Sequence, residues 1–359
     1  MSTSTQSPVR VAGDPQGPIR SQRRLPRYAG LGLYAAGIVL GAALSALTGF
    51  SIALTVIYGV VLGTLAVYIG SRAVEGRRKA TDRLVTALVT TAFAIAMVPL
   101  VSLVYTVLDK GLARFDAQFF SNSMFRVVGE GGGAYHAILG TVIITALTAV
   151  ISVPIGLLTA IYLVEYGTGR LKRAITFFVD VMTGIPSIVA GLFAFALFTL
   201  LFGNDVRLGL MGAAALSVLM IPVVVRSCEE VLKLVPNELR EASYALGVPK
   251  WRTVVKVVIP TAIAGLGTGI TLAVARVVGE TAPLLITVGL ITGTNLNPFD
   301  GRMATLPVFA YYQLTQPGTD TQAFLDRAWT AALVLIILVM VLNVVARLIS
   351  RFFAPKTGR

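Results

Sequence analysis

Two ionisable side chains four residues apart, Arg276 and Glu280, lie inside an apolar run and are followed at once by Thr281 and Pro283. A charge in hydrocarbon costs about 2.5–3.5 kcal/mol on insertion scales, so residues of this kind mark a pathway unless they are paired or interfacial. At this spacing the two share one face of a continuous helix. Gly269, Ala273 and Pro283 lie on or near that face, where small residues admit a partner backbone or leave room for a solute. A guanidinium offers forked donors and stays charged at every physiological pH, which suits a tetrahedral oxyanion. Glu280 would neutralise Arg276 when the passage is empty. The competing reading is a structural ion pair that locks this helix to its neighbours. Pro283 removes a ladder hydrogen bond toward Gly279, so a kink or unwound turn is expected just beyond the pair.

A second polar interruption falls in another apolar run, Thr183-Gly184-Ile185-Pro186-Ser187, continuing to Gly191-Leu192-Phe193. Gly-x-Pro-Ser can end one half-helix and start another, with Pro186 at the first helical position and the Ser187 hydroxyl at the break. Helix N-termini at mid-membrane recur at anion sites in transporters. A simple proline kink is the alternative. Asp180, one turn earlier, is expected at the interface.

The third informative stretch is polar, Asn237 to Pro260. Leu239, Ala242, Ser243 and Leu246 recur at i, i+3, i+4 and i+7, one helix face. Asn237 suits the N-cap, Glu238 the first turn and Gly247 the position just past the end. A second short helix is expected from about Pro249, with Trp251, Val254, Val255 and Val258 on one side and Lys250, Arg252 and Lys256 on the other. Pro260 then opens the next span. Two amphipathic helices at a membrane surface need a partner for their exposed faces.

The elements that carry these residues follow from composition. Of 359 residues, 55% are hydrophobic and 13% charged, against about 25% charged in soluble domains, so the chain is an all-α integral membrane protein. Apolar runs long enough for the roughly 30 Å hydrocarbon layer fall near 28–48, 52–70, 84–107, 137–163, 176–202, 209–225, 261–291 and 328–348, eight spans. With both termini placed in the cytoplasm, the inner segments hold 23 of the 30 Lys and Arg and the outer loops six, Arg276 being the remaining one. That asymmetry fits the positive-inside rule, and it accounts for the net charge of +13 without a nucleic-acid partner. Residues 1–27 are expected to be a disordered cytoplasmic terminus, and 28–83 a hairpin of two spans with a charged linker, an anchoring appendage. Residues 84–350 form the remaining six-helix core. The single cysteine, Cys228, excludes a disulfide framework, and the single histidine, His136, argues against zinc; it is expected at the start of a span. The outer loop 292–327, with Asn295, Asn297, Asp300, Tyr311, Tyr312 and Gln313, either helps receive a delivering protein or packs over the passage.

Glu241-Ala242-Ser243, with Gly247 and Ile259-Pro260 beyond, resembles the EAA loop of ABC-importer permeases, apart from Ser243 where a small apolar residue is usual. The segments 184–193 and 275–285 are similar to signatures of the permease subunits of phosphate ABC importers. The resemblance implies a six-helix type I ABC importer permease core, its transmembrane domain about 137–346, with the coupling loop at 229–260. It implies that Glu241, Ala242, Ser243 and Gly247 form the coupling contact with a separate ATPase. It places Arg276 and Glu280, and only those two, in a phosphate passage; Thr281 and Ser187 are expected beside them from the residue pattern. The implied partners are a PstC-like sister permease, two PstB-like ATPase subunits and a PstS-like phosphate-binding protein. No cofactor is expected in this chain, ATP and magnesium belonging to the partner ATPase. No Gly-Lys dipeptide occurs, so no Walker A phosphate loop is present and the chain is expected to lack catalytic and metal residues. Permeases for other oxyanions (phosphonate, sulfate, molybdate) share the same guanidinium chemistry. An ion-driven secondary transporter would leave the 237–260 loop without a role, and a hydrolase at Ser187 or Glu280 lacks a paired base.

Overall fold

The computed structural model describes residues 26, 28–47, 49, 51–203 and 206–353. The expected disordered terminus 1–27 lies outside the described residues apart from Pro26. The chain divides into two compact units, Met1–Leu103 and Val104–Arg359.

In the first unit, α1 (Ala29–Leu47) and α2 (Ile52–Val74) form the expected hairpin. Their backbones touch because glycines face each other. A Cβ on Gly37 would stand 2.5 Å from the Gly63 nitrogen, and one on Gly41 2.5 Å from the Gly59 nitrogen. Small residues four apart on both helices are the device by which helices associate in lipid, where burial of apolar surface offers no gain. At the turn, Thr55 Oγ1 donates to Ser45 Oγ at 2.9 Å. Next, α3 (Arg77–Gly111) runs for 35 residues, about 52 Å at 1.5 Å per residue, so it begins well before the apolar stretch expected at 84.

In the second unit, α4 (Ala117–Ser121) is capped by Asp116, whose side chain accepts from the Phe119 N–H at 2.8 Å. Then come α5 (Tyr135–Ile161), continued by a π-helical turn Tyr162–Tyr166, and α6 (Gly169–Thr183). The run at 176–202, for which a break or a simple kink was open, is broken: α7 (Ser187–Phe202) leaves α6 at 107°. Pro186 sits just outside α7 as its N-cap, one residue earlier than expected. Counting this bent pair as one span gives eight candidate spans; otherwise there are seven. α8 (Gly209–Lys233) is the most enclosed helix, burying Met211, Leu216, Met220, Val224, Cys228 and Leu232. Glycines again set the close approaches: Gly156 of α5 meets Val224, and Gly212 of α8 meets a later residue, Val288.

α9 (Asn237–Ala245) and α10 (Lys250–Thr253) follow. α10 is not a separate surface helix. It continues through a π-helical turn, Val254–Val258, into α11 (Ile259–Val278), so Lys250–Val278 is one 29-residue span that passes Pro260. The π turn leaves backbone slack into which the proline ring fits. α12 (Ala282–Thr287), α13 (Leu306–Thr315) and α14 (Thr321–Phe353) complete the unit.

Candidate substrate passage and coupling site

At the polar end, α9 carries the residues expected to form the coupling contact. Asn237 is its first residue rather than its cap, that place being taken by Pro236. Gly247 follows the last turn with φ +73°, where nothing lies within 4 Å of an added Cβ. Its glycine is therefore needed for conformation, not space. Glu241 and Ala242 are exposed, as are the large side chains Leu239, Tyr244, Leu246 and Trp251. Ser243 points the other way. Its hydroxyl lies 2.8 Å from that of Thr253 on α10, a buried bond that ties the two arms of the loop together. The serine that departs from the usual small apolar residue thus has a partner.

Arg240 was not singled out by the sequence pattern, yet it fixes α9 in place. Its Nη2 lies 2.8 Å from Glu165 Oε1 on the π turn after α5, and the same guanidinium donates to the carbonyls of Leu232 (3.1 Å) and Val235 (2.5 Å) at the end of α8. Both side chains are nearly enclosed, 12% and 4% exposed. A second cluster crosses from α6 to α8: Arg226 pairs with Asp180 and, at 2.8 Å, with Glu229, which also takes Lys233 at 2.7 Å. Asp180 is exposed, as expected for an interfacial residue, but it is paired. The pairs of Arg240 with Glu165 and of Arg226 with Asp180 are not visible in local spacing, because the partners lie 75 and 46 residues apart.

The two polar interruptions meet. A Cβ on Gly191 of α7 would stand 2.7 Å from Pro283 Cα of α12, so the start of α7 lies against the start of α12. Ser187, half-buried, is the first residue of α7; Thr281, half-buried, is the residue before α12. The expectation that Arg276 and Glu280 share a helix face is corrected. α11 ends at Val278, Gly279 caps it at φ −89° and ψ −1°, and Glu280 lies past the end in the unwound turn before α12. Pro283, without an N–H, cannot extend the α11 ladder and instead opens a new helix. Among the described residues no ion pair joins Arg276 to Glu280. Arg276 is exposed on this chain and Glu280 half-buried. This geometry offers a guanidinium, a hydroxyl and the N–H groups of a 16-residue helix start around two adjoining breaks, a donor set suited to an anion.

At the opposite end of the helices, the segment 303–309 packs into the core while much of the rest of 292–327 is exposed. Met303 to Phe309 are buried, the Leu306 N–H donates to Thr141 Oγ1 of α5 at 2.8 Å, and Gly140 leaves room for the Ala304 carbonyl. Gln313, one of the polar residues for which both readings were open, is buried and accepts from Arg327 Nε at 3.0 Å. Arg327 is wholly buried and also donates to the Gly129 and Gly131 carbonyls at 2.7 and 3.1 Å. His136 does begin a span, the second residue of α5, but is buried with its ring edge-on to Phe309 at 5.6 Å.

A helical core with a bent pair of half-spans and a short amphipathic helix between two spans has the architecture of a type I ABC importer permease. The structure matches that of a bacterial ABC transporter involved in the import of the acidic polysaccharide alginate, with a TM-score of 0.55 over 77% of this chain and 97% of that one, at 12% identity. The chain belongs to the binding-protein-dependent transport system inner membrane component family, whose model matches residues 152–359, and within it to the PstA permeases. It is 48% identical over 286 residues to the phosphate transport system permease protein PstA 1 of Mycobacterium tuberculosis, covering 79% of this chain and 91% of that one. It is 35% identical over 285 residues to the PstA of Pasteurella multocida, covering 78% and 97%. The protein is accordingly a multi-pass membrane component of a transport system.

Proposed function

We propose that this chain is the permease subunit that carries inorganic phosphate into a bacterial cell by alternating access, driven by a separate ATPase seated on α9. The observation that carries the reading is the meeting of two broken spans beside Arg276, a permanent charge with no carboxylate partner among the described residues. An arginine exposed on a span is costly in lipid but suited to a passage shared with a sister permease. The names of the curated relatives support phosphate as the anion. The exposed Leu239, Tyr244 and Leu246 on α9 suit a groove on a nucleotide-binding partner. Hydrolysis belongs to that partner, since this chain has no Walker A loop. The complex we infer holds this chain, a PstC-like permease, two PstB-like ATPases and a PstS-like phosphate-binding protein outside, with both termini of this chain in the cytoplasm.

The test is uptake of labelled phosphate into proteoliposomes containing the complex, with sulfate and molybdate as competitors. Uptake is expected to require ATP, to resist both competitors and to vanish in Arg276→Gln with the complex still assembled. Normal uptake by that variant removes the passage assignment. Uptake without the ATPase, driven by an ion gradient, removes the coupling assignment.

A further inference from the structure

The N-terminal hairpin leaves an open, mostly aliphatic groove of about 530 Å³ against α3. Val60 and Val67 of α2 form one wall, and Ala87, Ala94 and Val98 of α3 the other. Five residues of this unit that carry large apolar side chains on α3, Val85, Leu88, Val89, Phe93 and Ile95, are exposed, so the groove lies along helix surface of the kind that faces acyl chains. Arg83 lines one end. Its Nη2 is 2.9 Å from Glu75, which also accepts from Ser71 Oγ at 2.8 Å, so the guanidinium is held at the groove by a bonded carboxylate. Around that end Arg72, Arg77, Arg78 and Lys79 join Arg83 against two acidic residues, Glu75 and Asp82. Arg72, Arg77 and Arg78 are exposed.

We propose that this groove binds one anionic phospholipid, an acyl chain lying between α2 and α3 and its phosphate on Arg83. Two independent features point to the same occupant. The groove is apolar along its length, as an acyl chain requires, and has the volume of a small-molecule site. The charges at one end are those that attract anionic headgroups, a basic cluster directly beside a membrane span. A guanidinium has five donors, so a bond to Glu75 leaves the fork able to take a phosphate oxygen as well. A protein helix would fill the apolar part but has no general need for five basic residues at one end. The hairpin, on this reading, ties the permease to its surrounding lipid.

Native mass spectrometry of the full chain released from nanodiscs of equal phosphatidylglycerol and phosphatidylethanolamine tests the proposal. The wild-type chain is expected to retain one phosphatidylglycerol in preference to phosphatidylethanolamine. Arg83→Gln should lower that preference roughly fivefold, the effect of one basic residue at an anionic surface. Ala94→Phe, which fills the groove, should lose the lipid altogether, while Leu88→Phe, on α3 but outside the groove, should keep it. Should Ala94→Phe fail to fold, Arg83→Gln alone decides. No retained lipid, equal retention of the two headgroups by the wild-type chain, or retention unchanged in both Arg83→Gln and Ala94→Phe overturns the proposal. So does release of a partner subunit, rather than lipid, when Ala94→Phe is placed in the assembled complex.

Discussion

Replacing Arg240 by Met should loosen the docking helix α9 while leaving the spans in place. The side chains of Arg240 and Glu165 are 12% and 4% exposed, and their contact is 2.8 Å. Removing one member of a buried ion pair costs about 3–5 kcal/mol, because the remaining charge is stranded without solvent. Met keeps the apolar stem of the arginine, so lost packing adds little. With only nine residues, α9 is too short to be stable alone in water, so this anchor decides how often it opens. When α9 opens, Glu165 is rehydrated in wild type and variant alike, and the full penalty falls on the closed state of the variant. At about 1.36 kcal/mol per decade, amide hydrogen exchange over Leu239–Ala245 should quicken roughly a hundredfold to several-thousandfold. The double variant Arg240→Met with Glu165→Leu should return most of the protection, since an apolar pair can replace a buried ion pair at little cost. Exchange in Arg240→Met within threefold of wild type would refute this account. A double variant as fast as the single one would show that the carbonyl bonds to Leu232 and Val235, not the ion pair, hold the helix.

Three further outcomes are expected. Gly140→Ala would put a methyl 2.0 Å from the buried Ala304 carbonyl oxygen, forcing the 303–309 segment off α5; overpacking of this kind costs about 1–3 kcal/mol, and a thermal melt of the purified chain should fall by several degrees. Gly247→Leu meets no neighbour, but φ +73° costs a branched residue about 1–2 kcal/mol; α9 should lengthen, and the ATPase should no longer co-purify with the permease. Deleting residues 1–70 should preserve ATP-dependent phosphate uptake when membrane levels match, whereas lost uptake would give the hairpin a direct part in transport.

Elements that depend on local spacing were legible in the sequence. The hairpin, the long spans, the break at Pro186 and the stop at Gly247 each rest on residues within one or two turns of each other. The glycine contacts of α1 and α2 were equally local, Gly37 with Gly41 and Gly59 with Gly63, but a search for charge passes over them. Arg240, Arg226 and Arg327 were illegible for another reason. Each looks like a topological charge at the end of a span, and only the fold brings Glu165, Asp180 or the Gly129 carbonyl to it. The loop 292–327 was open to two readings because its polar residues look available. Asn295 in fact donates to the Asp300 and Arg302 carbonyls and Gln313 is spent on Arg327, so part of its polarity holds the loop together, while Asn297, Asp300 and Tyr311 stay exposed.

The Arg276–Glu280 pair shows where spacing arguments conflict. An i, i+4 pair presupposes an unbroken helix, yet the same stretch carries Gly279 and Pro283, which predict a break. Both could hold if the break fell beyond Glu280, but Gly279 lets the helix stop one turn earlier. Little opposes that: a proline in a helix interior costs about 3 kcal/mol, whereas an i, i+4 charge pair contributes about 0.2–0.5 kcal/mol. The break therefore wins, by nearly an order of magnitude. Its consequence reaches function. With Glu280 moved out of register, Arg276 has no ion-pair partner among the described residues, and an exposed guanidinium on a span must find its counter-charge elsewhere. On the function proposed above, a substrate anion passing between two permeases would supply that charge only while it is present, as a translocation pathway requires and a structural ion pair cannot give.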